Sequence, residues 1–251
     1  MAPCAHSLPT TWQARLSGDV TVIQCFLTVN FDVQPATRQP AMSAATRRWL
    51  RAHAADPFVQ RARRENYRSR AVFKLAEIDR RESLCRRGMT VLELGAAPGG
   101  WTQYVRERVL PGGVVVAVDR APLADLPGVQ VVNGDASDEM TRKKIIAACG
   151  AGRAHLLLSD MAPDLTGVAA TDQARGAALV EVALAVARDC LRADGVLLVK
   201  FFQGAESAAV RRRCGEVFGR VKSVKPVASR GRSREQYLLC RALKTPPAGP
   251  S

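Results

Sequence analysis

Short apolar runs alternate with stretches of helical periodicity over most of the chain. The strand-like runs are Thr90–Leu94, Val114–Val118, Val129–Asn133, His155–Ser159, Val196–Phe201 and Gln236–Arg241. Between them, apolar positions recur at helical spacing over Ser69–Arg80, Trp101–Val109, Asp172–Leu191 and Ala205–Phe218. Strands and helices of these lengths in alternation make βαβ units. The pattern therefore predicts an α/β domain, a mostly parallel sheet with helices on both faces. Ligands of such sheets bind beyond the carboxyl ends of the strands, so the residues that follow each run carry the functional question.

Both ends of the chain break the pattern. Residues 1–41 hold one strand-like run, Val20–Val29, with no partner, and read as a weakly ordered extension or the product of an upstream start codon. Met42 opens an Arg-rich, helix-like stretch, and the Pro-rich residues 244–251 read as a flexible tail. The working domain is expected over residues 42–243.

Composition adds one strong feature. The 251 residues carry 37 Lys and Arg against 23 Asp and Glu, a net charge of +14, which makes a polyanion the first partner class to consider. A halo of solvated surface arginines is the alternative. The 47% hydrophobic content is ample for a core and excludes disorder throughout. Seven scattered cysteines form no C-x-x-C pair, so no metal site is expected and the thiols read as reduced. No apolar window is long enough for a membrane span, and the expectation is a soluble, cytoplasmic protein.

The first strand runs into Gly95, Ala96, Ala97, Pro98, Gly99 and Gly100, then Trp101. Glycines let a backbone turn sharply and approach a ligand closely, and the following helix offers free N–H groups. The dinucleotide fingerprint G-x-G-x-x-G is absent. Such a loop suits a nucleoside ligand without a pyrophosphate whose amino-acid part carries a carboxylate and an amine, as S-adenosylmethionine does. The second strand ends in Asp119, placed to accept from ribose hydroxyls, and the third in Asn133, Gly134, Asp135 and Ala136, where a carboxylate can take an adenine amino hydrogen. Either aspartate alone could equally cap a helix; as an ordered set after successive strands they favour a cofactor site.

Lys200 interrupts an otherwise apolar strand, where an unpaired ammonium is expensive, and Asp160 at the end of the neighbouring strand is the natural partner. A purely structural ion pair is the alternative. Lys74 lies on a helix before the first strand, and Glu235 stands at the entry to the last. Trp101 and Tyr104 read as packing rather than base-stacking groups. The arginines of 61–87, 211–213 and 230–234 bracket these positions in sequence and are expected to form a basic rim for phosphates, with a solvated helix face as the alternative for Arg211, Arg212 and Arg213.

Six segments, RSRAVFKLAEID, LGAAPGGWTQYV, GDASDE, SDMAPDLTG, VKFFQG and SRSREQY, resemble in order and spacing the FtsJ/RrmJ (RlmE) family of ribosomal RNA 2′-O-ribose methyltransferases, over about residues 49–242. The resemblance implies a Rossmann-like S-adenosylmethionine-dependent methyltransferase fold with a final antiparallel strand. It also implies a Lys-Asp-Lys-Glu tetrad at Lys74, Asp160, Lys200 and Glu235, with Asp160 bordering the cofactor as well. The implied substrate is a uridine in the A-loop of 23S rRNA within the large ribosomal subunit, and the implied state is a monomer. Two departures stand out: Ala136 where the bacterial pattern usually has an aromatic beside the adenine, and Asp164 where it often has Asn. Rival readings are a tRNA or mRNA-cap ribose methyltransferase, a non-catalytic RNA-binding factor, and a haemolysin-like relative linked to an S4 domain.

Overall fold

The computed structural model describes residues 53–150, 153–164, 166–229 and 233–244, with the isolated positions 44, 48 and 51. Residues 1–41, including the strand-like run Val20–Val29, lie outside the described residues, as do 245–251 of the tail.

Helix α1 (Pro57–Arg64) starts where Asp56 accepts from the Phe58 N–H at 3.0 Å and Pro57 fills the first turn, where a missing N–H costs nothing. Helix α2 (Val72–Glu82) follows, then β1 (Thr90–Leu94), α3 (Gly100–Val109), β2 (Val114–Asp119) and β3 (Val129–Asn133). The second half runs through α4 (Glu139–Cys149), β4 (Ala154–Ser159), α5 (Ala169–Cys190), β5 (Leu191–Phe202), α6 (Ser207–Val217), β6 (Phe218–Val224) and β7 (Glu235–Leu243).

The strands form one sheet in the order β3-β2-β1-β4-β5-β7-β6. Pairs from β3 to β5 are parallel, and β7 runs antiparallel to both β5 and β6. Central strands buried on both faces explain the near-continuous apolar runs of β1, β2 and β4. Alternation splits their side chains between two cores. Leu92, Leu94 and Val116 join Ile145, Leu184 and Cys214 under α4, α5 and α6. Val91, Val115 and Leu156 join Leu75, Ile78 and Trp101 under α2 and α3.

The predicted α/β class and mostly parallel sheet are present, with two differences of detail. Strand β5 begins at Leu191 rather than Val196, because Ala154 pairs with Leu191 before a register shift restores Leu156 opposite Val196. Strand β6 was not anticipated: Gly219, Arg220 and Lys222 on this sheet edge are exposed, so its apolar signal is thin.

Candidate active site

The sheet register assembles the site. Ser159 of β4 pairs with Val199 of β5, which sets the next residue of each strand, Asp160 and Lys200, side by side. Lys200 lies opposite Tyr237 in the antiparallel β5–β7 pair, and Phe202 lies opposite Glu235. Residues two apart on a strand share a face, so Glu235 and Tyr237 point the same way as Lys200. Lys74 arrives from the other direction, on the first turn of α2, whose Phe73, Leu75 and Ile78 are anchored in the core.

These groups form one continuous network, an ion pair at each end joined through a phenol. Lys74 Nζ donates to Glu235 Oε1 at 2.6 Å, and Lys200 Nζ lies 3.1 Å from Asp160 Oδ1 while also donating to the Asp160 carbonyl. Between the two ion pairs sits the Tyr237 hydroxyl, 2.8 Å from Asp160 Oδ1 and 3.2 Å from Glu235 Oε1. A phenol has one proton to donate, so the two carboxylates share it. Burial, then the charges of Asp160 and Glu235, hold the Tyr237 hydroxyl well above its ordinary pKa, which keeps that proton in place. Both lysines are largely enclosed, and removing either partner would leave a charge stranded at a cost of about 3–5 kcal/mol. The Trp101 ring packs on Tyr237 at 5.7 Å while its Nε1 donates to the Ala71 carbonyl at 2.7 Å.

A cleft of about 680 Å³ opens beside the tetrad, beyond the carboxyl ends of β1, β2, β3 and β4. Gly95, Asp119, Asp135, Ala136 and Asp160 all border it. Gly95 has φ of 76°, and a Cβ there would stand 2.8 Å from the Met161 backbone nitrogen, so only glycine lets the two strand ends meet. Asp119 braces the loop, its Oδ2 accepting from Ala97 N and its Oδ1 from Ala121 N, each at 2.8 Å. Asp135 accepts from both the backbone and the hydroxyl of Ser137, which holds its carboxyl below the usual range. Neither aspartate is the cap of a following helix; Asp138 caps α4, accepting from Thr141 N at 2.9 Å. A carboxylate oxygen accepts more than one hydrogen bond, so both aspartates keep capacity for a ligand.

A second chamber of about 170 Å³ is bordered by Ala96, Pro98, Gly100, Trp101 and, shared with the main cleft, Gly95 and Asp160. Of the loop positions singled out from the sequence, Gly99 borders neither cavity: its φ of 105° serves the turn into α3, packed against Arg68. Three residues at the site went unassigned in sequence. Tyr237 lay within a recognised segment, Arg175 reaches the cleft from α5 and donates to the Asp164 carbonyl at 3.0 Å, and Glu93 faces the smaller chamber.

The arginines divide. Arg68 donates to the Ala124 and Asp125 carbonyls, Arg70 to Asp56 and the Ala228 carbonyl, and Arg213 pairs with Glu181 and Glu216. Arg63, Arg64 and Arg212 are exposed and form no ion pair among the described residues. Arg86 and Arg87 are also exposed, but they immediately precede β1 and so lie at the end of the sheet opposite the cleft, because α2 carries the chain away from the site. The rim expected from sequence is thus narrower than its arginine count. Arg230 and Arg232 lie outside the described residues.

No helix among the described residues is long and apolar enough to cross a membrane. A solved structure named as a ribosomal RNA methyltransferase, from Plasmodium falciparum, shares the fold at a TM-score of 0.65, with 23% identity over 70% of this chain and 98% of its own. Proteins named ribosomal RNA large subunit methyltransferase E are more similar in sequence. That of Pseudomonas paraeruginosa is 42% identical over 204 residues, 81% of this chain and 99% of the relative. That of Alkalilimnicola ehrlichii is 46% identical over 198 residues, 79% of this chain and 95% of the relative. The FtsJ-like methyltransferase model matches residues 67–243, a span that contains every strand among the described residues and all four members of the tetrad. With sheet order, cleft and sequence in agreement, the chain belongs to the FtsJ-like methyltransferase family and is a methyltransferase enzyme.

Proposed function

We propose that the protein methylates a ribose 2′-hydroxyl of large-subunit ribosomal RNA, at a uridine of the 23S A-loop, and that residues 42–243 are its catalytic domain. The observation that carries the reading is the pairing of Lys200 with Asp160 at the lip of the cleft, tied through Tyr237 to Lys74 and Glu235. The similarity to large-subunit methyltransferases supports the choice of RNA.

S-adenosylmethionine is the proposed methyl donor, and its sulfonium supplies an electrophilic methyl group. The donor set around the cavities fits it: carboxyls at Glu93, Asp119, Asp135 and Asp160 suit hydroxyl donors, an ammonium and a sulfonium, and oppose a pyrophosphate. Asp119 and Asp135 would take the ribose and adenine ends, Ala136 would form a small wall beside the base, and Gly95, Ala96, Pro98, Gly99, Gly100 and Trp101 would shape the loop around the amino-acid end.

A ribose hydroxyl is a poor nucleophile that must be aligned and relieved of its proton as the new O–C bond forms and the C–S bond breaks. Lys200 is placed for that proton. Asp160 engages two positions on the Lys200 nitrogen; in the neutral amine these are its two N–H groups, and the third position is the lone pair that takes the hydroxyl proton. Asp160 holds Lys200 from one side and borders the donor cleft on the other, so it aligns both reactants. Glu235 fixes Lys74 in place at the site and has a supporting role rather than a proton-transferring one. Methyl transfer from labelled donor to isolated large subunits, with the product nucleotide mapped, tests the proposal; a product on a base, on another ribose, or only on transfer RNA overturns it.

A further inference from the structure

Phe202 is the last residue of β5 and stands two positions beyond Lys200, about 7 Å along the strand. Most aromatic side chains among the described residues are buried; solvent reaches Phe58, Tyr67 and Phe202. Phe58 carries Phe73 and the Arg70 guanidinium on its ring, and Tyr67 packs edge to face with Phe73 while its hydroxyl donates to Glu107. Phe202 is the one accessible aromatic among the described residues with no other ring and no guanidinium stacked against it. Its seat is nonetheless built. The ring reaches α5, where its Cδ2 lies 3.1 Å from the place a Cβ would take at Gly176. A glycine inside a helix is destabilising, and here its missing side chain leaves room for the ring.

We propose that Phe202 is the platform on which the base of the target nucleotide stacks while its ribose is presented to Lys200. The inference rests on the acceptor proposed above, a nucleotide of loop RNA, and adds to it the residue that receives the base.

Transfer in line puts the acceptor oxygen on the far side of the methyl group from sulfur. The donor cleft lies beyond β1 to β4, and the sheet order sets β5 on the other side of β4, so the acceptor ribose stands over the end of β5. Phe202 borders neither the cleft nor the smaller chamber, which leaves its ring for the acceptor. The base is carried on the carbon next to the one that bears the 2′-hydroxyl, and it therefore lies close to Lys200 as well. A loop nucleotide turned out of its stack loses the rings above and below it, and aromatic side chains replace them. The polar groups around this strand end suit a base edge. Gln203 and Gln236 join amide to amide, and Gln173 of α5 accepts from Ala205 N at 2.8 Å. Amides present donors and acceptors together, as a base edge does, whereas a phosphate calls for donors alone.

The test is methylation of isolated large subunits by the full chain, with affinity for S-adenosylmethionine measured by calorimetry on the same preparations. Phe202→Ala should lower kcat/KM for subunits by about 5- to 150-fold, the range lost when a base loses its aromatic partner. Phe202→Leu keeps an apolar side chain against Gly176 but offers no ring, and should be at least about fivefold slower than wild type. Phe202→Tyr keeps the ring and should stay within about twofold of wild type. None of the three should change affinity for the donor. Full activity of Phe202→Leu overturns the inference, since packing against Gly176 would then be the whole task of the side chain. Phe202→Tyr no faster than Phe202→Leu overturns it too. A fall in donor affinity in Phe202→Leu does likewise, because the ring would then serve the donor side or the fold. Failure of wild type to methylate subunits, which is seen without any variant, removes the acceptor reading and the inference together.

Discussion

Tyr237 donates to Asp160 across 77 positions of sequence, at 2.8 Å, and the same hydroxyl stands 3.2 Å from Glu235. Two ion pairs that would otherwise be neighbours become one network through a single proton. Tyr237→Phe keeps the ring packed on Trp101 and removes only that proton. A hydrogen bond to a charged group is worth about 1.5–3 kcal/mol, so methyl transfer should slow by roughly tenfold or more with KM for the donor little changed. Single-turnover kinetics on large subunits measures this; an unaltered rate would show that the two pairs work independently.

Asp160 borders both cavities and Lys200 borders neither. Lys200→Ala should therefore abolish methyl transfer and leave donor affinity nearly intact, whereas Asp160→Ala should impair both. Calorimetry and a labelled-methyl assay on the same preparations separate them. Near-wild-type turnover by Lys200→Ala would sink the assignment of the proton to this lysine.

Glu93 also makes a statement about stability. Its folded pKa of about 8 lies above the ordinary 4.5, so the folded state binds more protons through that interval. Its contribution is fully present below about pH 4.5 and is lost as pH rises through about 8. Glu93→Gln removes the loss, and the ligand-free variant should melt higher than wild type at pH 9 with the gap narrowing toward pH 6. Thermal unfolding across that range checks it, and parallel curves would contradict a neutral Glu93.

Binding to large-subunit RNA should weaken steeply with salt. Removing Arg63 or Arg64, exposed and without ion pairs among the described residues, should lower the slope of log affinity against log salt by about one each if each meets a phosphate. Arg86→Ala and Arg87→Ala, at the far end of the sheet, should leave the slope unchanged. Filter binding over a salt series measures all four; equal effects from both pairs would place the RNA elsewhere.

Much of this architecture is readable from residues because buried strands announce themselves as apolar runs, and six of the seven strands among the described residues are found that way. Strand β6 is not, since an edge strand carrying Arg220 and Lys222 lacks the apolar signal. The tetrad was legible partly from cost: a lysine inside Val196–Phe201 demands an acid. The same reasoning applies to Glu93 inside Thr90–Leu94, and that signal was available in the sequence. Tyr237 was hidden for a different reason. A tyrosine in an apolar strand is ordinary until the pairing register sets it opposite Lys200.

Strand β7 is last in the chain but is seated between β5 and β6, and it carries both Glu235 and Tyr237. During synthesis the strand ends that border the cleft, those of β1 to β4, are complete in sequence well before Glu235 and Tyr237 are. A nascent or truncated chain that stops short of residue 235 has Lys74 without its acid and Asp160 without its phenol, beside an open sheet edge. Strand β7 thus completes the sheet and the network at one stroke, because the strand that joins β5 to β6 is also the one that brings Glu235 to Lys74 and Tyr237 to Asp160.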